Sequence, residues 1–183
     1  VARAYLEAGL GSNARREARR AVELAPESLV AQRTLGIILA HDELGRKFMS
    51  GFEYQGAETA LRKAREIDPK DFSARGELAI LLEHDADGHR YGPGSRLDEA
   101  ISEYTFLRSD LKIENLTTNL MVALLNRSRF AELRELWKEA PKNSYRNGLY
   151  LAATAVVNGT DEAVREGSRI ADQAEAYREI LGI

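Results

Sequence analysis

Residues 21–26 read AVELAP, and residues 64–69, 43 positions further along, read AREIDP. A small residue, an acid, a bulky aliphatic and a closing proline fall at the same places in both. Proline cannot continue a helix, so each phrase reads as the last turns of a helix and its stop. The same spacing links Ala14, Ala57 and Ala100, each early in an amphipathic run where a small side chain lets two helices approach closely. It also links two unusual strings, HDELGRKFMSG at 41–51 and HDADGHRYGPG at 84–94. Self-similarity at a fixed period of this size marks stacked supersecondary units.

Within each unit, apolar residues recur at three and four. Leu35, Ile38 and Leu39 share one helical face, and Ala57, Leu61, Ala64 and Ile67 share another. The next unit repeats this with Leu78, Leu81 and Leu82, then Leu97, Ala100, Ile101, Tyr104 and Leu107, with Asp98 as the expected cap of the second helix and Glu99 in its first turn. No segment alternates with period two for long enough to form a strand, so the chain reads as all-α. A looser pair follows at 116–125 and 130–140, turned by Asn126 to Arg129 and stopped by Pro141. The last pair spans 149–157 and 162–170, joined at Asn158-Gly159 with Thr160 or Asp161 as N-cap, and a short run at 174–181 is expected to cover the open end.

Composition narrows the function. A 183-residue chain that is 44% hydrophobic and 30% charged suits a globular fold with a buried core. Its 26 basic and 29 acidic side chains are interspersed, which leaves no electrostatic footprint for nucleic acid or an anionic membrane. Zero cysteines exclude disulfides, thiolate metal sites and a cysteine nucleophile. No apolar run approaches the roughly 20 residues a membrane-spanning helix needs. Val1 opens directly into helical periodicity without a Met or a cap, which reads as a segment of something longer.

These residues resemble the tetratricopeptide repeat, a helix-turn-helix unit of 34 residues. The first unit matches at Tyr5, Gly9, Ala14, Ala21 and Pro26, and the second at Leu35-Gly36, Ala57, Leu61, Ala64 and Pro69. The third keeps Leu78-Ala79, Ala100 and Tyr104 but has Leu107 where a small residue is usual and no closing proline; the fourth has Leu133 and Trp137 in the alanine and aromatic places. The resemblance implies a right-handed superhelical solenoid laid out as 1–28, 29–71, 72–114, a degenerate 115–142 and a closing 143–183. Against 34, a period of 43 implies nine residues inserted in the turn of the second and third units. HDxxG followed by YGPGxxLDEAI is also similar to the repeat region ahead of transglutaminase-like domains in some large bacterial envelope proteins, which leans the localisation toward the periplasm or cell envelope.

Three readings of the enlarged turns stand side by side. His41, Asp42, Gly45 and Phe48, with their counterparts His84, Asp85, Gly88 and Tyr91, suit a structural device: a histidine meeting a helix C-terminus, a glycine free to turn left-handed, an aromatic folding back. The histidines with Asp42, Asp85, Asp87 and His89 are also metal-ligand types, although equivalent turns lie about 8–10 Å apart at the helix axes, and Asp85-Ala86-Asp87-Gly88 lacks the later ligands of a calcium loop. No metal or cofactor is assigned on these grounds. A partner surface is the third reading.

Catalysis is not expected. Gly92-Pro93-Gly94-Ser95 lacks the Lys-Ser/Thr ending of a phosphate loop, and all three histidines fall in the enlarged turns. The resemblance implies instead a concave groove for a protein or peptide, lined by the first helix of each pair: Arg3 and Leu6; Val30, Arg33, Ile37 and Ala40; Ser73, Glu77, Ile80 and Glu83; Asn119, Val122 and Asn126. Ile37, Ile80 and Val122 replace the asparagines with which chaperone-binding members grip a carboxylate, leaving an apolar stripe suited to an amphipathic helix. The alternative is that this stripe is internal core, or that the segment is a spacer positioning an enzymatic neighbour. Open solenoid ends also offer a route to self-association.

Overall fold

A computed structural model describes the backbone of residues 1–181 and the side chains of residues 1–174. Among the described residues the chain is all-α: α1 (Ala2–Glu7), α2 (Gly11–Leu24), α3 (Leu29–Leu39), α4 (Tyr54–Ile67), α5 (Phe72–Leu82), α6 (Leu97–Ser109), α7 (Thr117–Asn126), α8 (Phe130–Glu139), α9 (Ser144–Asn158) and α10 (Thr160–Leu181). Two compact units divide it, Val1–Leu116 and Thr117–Ile183. Inside each, helices pack chiefly on their neighbours in sequence, the arrangement of a helical-repeat solenoid.

In the first unit, a shift of 43 residues carries both ends of α2 onto those of α4 and both ends of α3 onto those of α5. The sequence reasons are visible at the termini. Ser28 Oγ accepts from the Ala31 amide at 3.3 Å, and Asp71 Oδ1, one period on, accepts from the Ala74 amide at 2.6 Å. The carbonyls of the stop residues Pro26 and Pro69 are likewise used at equivalent places, by Gln32 Nε2 at 2.7 Å and Arg75 Nε at 2.6 Å.

Small residues set the helix spacing. Ala14 and Ala18 of α2 pack with Ile38, Tyr5, Leu6 and Leu35, while α4 buries Ala57, Ala60, Leu61 and Ala64. Gly36 of α3 meets α4 so closely that a Cβ there would fall 2.5 Å from Leu61 Cγ and 3.1 Å from the Ala57 carbonyl oxygen. Glu103 then ties three helices, pairing with Arg65 of α4 at 2.5 Å and with Arg75 of α5.

In the second unit, Trp137 of α8 stacks on Tyr150 of α9 with ring centres 3.9 Å apart, so both aromatics are packing residues. The Lys142 ammonium closes the C-terminal end of α8 by donating to the carbonyls of Trp137, Lys138 and Ala140. Asn143 Oδ1 accepts from the Arg146 amide and starts α9, five residues earlier than the apolar pattern marks it.

Three sequence expectations change. Thr160 opens α10 and Asp161 lies in its first turn, so neither is the N-cap. The runs at 162–170 and 174–181 form one uninterrupted helix, α10, because no proline or glycine stop separates them; the capping role of the second run lies outside the described side chains. Asp98 is not the cap of α6: Arg96 occupies that position, and Asp98 and Glu99 both sit in the first turn, where carboxylates meet the positive end of the helix.

Replacing Gly36 by Ala sets two effects against each other. Helix propensity favours Ala by about 1 kcal/mol, whereas overpacking a close contact costs about 1–3 kcal/mol. With Leu61 and the α4 backbone both in the way, a net loss is expected, read as a lower urea midpoint at unchanged slope.

Candidate functional site

The α3–α4 and α5–α6 connections, residues 40–53 and 83–96, hold fourteen residues each, against three in the 8–10 connection of the first pair. These connections are eleven residues longer than that of the first pair, while the repeat period stays at 43. Both turns have one geometry. The amide of Asp42 donates to the Arg46 carbonyl at 3.0 Å and that of Asp85 to His89 at 3.1 Å; Phe48 N–H returns to Ala40 O at 2.9 Å and Tyr91 N–H to Glu83 O at 2.6 Å. Asp42 Oδ1 accepts from the amides of Leu44 and Arg46, and Asp85 Oδ1 from those of Asp87 and His89. These amides, that of Arg46 first for Asp42 and that of His89 first for Asp85, hold both carboxyls below the usual aspartate range.

The histidines close the preceding helices. His41 Nδ1 lies 2.8 Å from Ile37 O and His84 Nδ1 2.9 Å from Ile80 O. Burial lowers the pKa of both rings, since the charged imidazolium is the form that loses most on leaving water. Neither ring converges with the other on a common point. His84 instead stacks on Phe48 of the preceding turn, ring centres 3.8 Å apart.

Successive turns lie backbone on backbone. Gly45 is left-handed at φ 77°, and a Cβ there would stand 2.9 Å from Leu6 O, while Gly11 N–H donates to Glu43 O at 2.8 Å. One unit on, Gly88 at φ 87° presses against Phe48, where any Cβ would overlap the carbonyl oxygen. Arg15 fastens the first turn from below, donating to the carbonyls of His41 at 2.5 Å and Gly51 at 2.6 Å and pairing with Glu53 at 3.3 Å. The equivalent pair in the next unit is Glu58 with Arg96, the same link with its charges exchanged.

The groove residues divide. Arg3 and the 61%-exposed Val30 line an open groove of about 570 Å³ with Leu24 and Thr34, whereas Leu6 packs into the core. Arg33 is bound to Asp71 at 2.5 Å and Glu77 to Lys47 at 2.8 Å; Ile37, Ser73 and Ile80 are half-buried on α3 and α5. Asn119 and Val122, half-buried, and Asn126, exposed, belong to α7 in the second unit. Ala40 and Glu83 do not face a groove: the returning turns cross them and leave 2% and 0% exposed. Glu83 is instead held by Arg90 at 2.7 Å and by Tyr104 Oη at 3.0 Å, and burial pushes its carboxyl up against the opposing pull of Arg90.

No model of a known protein family matches the chain, and a search of curated proteins finds no match. The arrangement therefore speaks through its own chemistry: amide-saturated carboxylates and helix-bound imidazoles that hold two turns in a fixed relation. Sequence reasoning passed over Lys47, Arg90, Arg15 and Glu53 as functional positions. The repeated basic pair, Arg46-Lys47 and His89-Arg90, was the available signal for the first two.

Two outcomes follow. Gly88→Ala should destabilise the chain well beyond the roughly 1 kcal/mol of a left-handed alanine. Gly51→Ala, at φ 93° with nothing within 4 Å, should cost only that conformational amount, so comparing the two in urea isolates the backbone contact. His41 sets a pH dependence. Its folded pKa is lowered from 6.5, so its neutral form stabilises the fold above that value and the benefit is lost as pH falls through it. The melting-point gap between wild type and His41→Asn should accordingly shrink between about pH 7.5 and about pH 5.5; a constant gap would remove the burial argument.

Proposed function

We propose that the chain is a non-catalytic interaction module of tetratricopeptide type, receiving an extended or helical segment of another protein on the face shared by α3 and α5. One observation carries this reading. Ile37 and Ile80, equivalents one period apart on helices that touch, remain partly exposed, and α3 and α5 also carry Arg33 and Glu77 of the ion pairs Arg33–Asp71 and Lys47–Glu77. An apolar centre with a polar rim suits the apolar face of a helix better than a free carboxylate.

The turn-on-turn packing favours a second role for the same module, a stiff spacer that positions a neighbouring domain in a longer bacterial envelope protein. Gly88 against the Phe48 backbone and the Phe48–His84 stack leave little freedom between consecutive units. The two roles separate experimentally. Because neither isoleucine is fully buried, an Ile37→Arg, Ile80→Arg double variant should keep its circular dichroism spectrum and most of its melting temperature. A protein retained from source-cell lysate by wild type and lost by that folded variant supports the groove. Identical retention by both sinks it and leaves the spacer.

A further inference from the structure

We propose that the second enlarged turn, and not the first, is a binding site for a borderline divalent transition-metal ion, with Asp85, Asp87 and His89 as ligands. The side-chain ligand atoms of these three residues lie within 4.8 Å of one another, and His89 Nδ1 stands 3.4 Å from Asp85 Oδ2. All three come from one turn at alternate positions, so no side chain has to reach across to a neighbouring unit. An imidazole with two carboxylates is a donor set for Zn²⁺ and its neighbours rather than for Ca²⁺ or Mg²⁺, which take oxygen alone.

An independent observation comes from the first turn, which repeats this backbone. There the places of Asp87 and His89 are taken by Leu44 and Arg46. The Arg46 guanidinium sits on the equivalent carboxylate, with Nε and Nη2 each 2.7 Å from Asp42 Oδ2. This carboxylate oxygen is thus a place where the fold seats a cation. The second turn removes the permanent cation, adds a second carboxylate and supplies an imidazole, a group with no fixed charge. Its two arginines are committed elsewhere, Arg90 to Glu83 and Arg96 to Glu58.

The backbone makes room in the same way. Gly92 replaces Met49 of the first turn and passes so close to Asp85 Oδ2 that any Cβ would overlap it. Asp85 itself is buried, which fixes one ligand, while Asp87 and His89 are exposed and able to close on an ion by side-chain rotation. Three protein ligands leave a coordination position for water or for a side chain of another molecule.

The test uses the first turn as its own control. Metal-stripped wild type, His89→Arg and Asp87→Leu are titrated with Zn²⁺ by calorimetry and with Co²⁺ by visible absorption. Both substitutions install the residue of the sister turn, so the variants should fold and melt at or above the wild-type temperature. Wild type should bind one Zn²⁺ per chain and melt higher with it, and each variant should lose affinity by roughly tenfold or more. Absence of Zn²⁺ uptake by wild type at about 1 mM, or equal uptake by the folded variants, overturns the proposal. Neither result bears on the groove of α3 and α5, whose test reads a different surface.

Discussion

The first unit depends on a backbone-to-backbone contact that only glycine permits. Each enlarged turn lies on the backbone before it, Gly45 over Leu6 and Gly9 and Gly88 over Phe48, and both glycines are left-handed as well as crowded. Once those contacts are made, the rest follows locally. The aspartate at the head of each turn collects the amides that cannot join a helix, the histidine closes the helix before it, and Phe48 is delivered onto His84. A loop of this length would ordinarily be the loosest part of a helical array; here the head aspartates and neighbouring helices take up many of its polar groups.

What the two turns do not share is charge. The first is a closed ion pair; the second commits Arg90 to Glu83 and leaves an imidazole facing two carboxylates. The same frame therefore carries two chemistries, in the way that a repeat fold permits: architecture resides in glycines and main-chain bonds, and side chains between them are free to diverge.

The fold was legible because periodicity reports on packing. The alanine and proline spacing located α2 through α6, and the ends of α2 and α4 and of α3 and α5 reproduce it residue for residue. Legibility ended where neighbours in space are not neighbours in the pattern. Ala40 and Glu83 read as groove positions because a helical projection cannot register that the chain doubles back over them. Asp98 reads as a cap because it is the right residue type two positions too late. The run beyond residue 170 reads as a separate helix although nothing in it stops one. Asp85, Asp87 and His89 read as metal-ligand types, but the pattern weighed them across neighbouring turns, and only the curl of one turn brings the three together.

The exchanged ion pairs carry a consequence for assembly. Arg15 meets Glu53, and one unit later Glu58 meets Arg96. If α2 were to dock against the third unit by mistake, looping out the second, Arg15 would face Arg96; if the second unit were to dock on a copy of itself, Glu58 would face Glu53. Near-identical repeats are prone to such slippage and to swapping between chains. Alternating the sign of one link sets like charges against each such mispairing, in addition to the fit of the backbones.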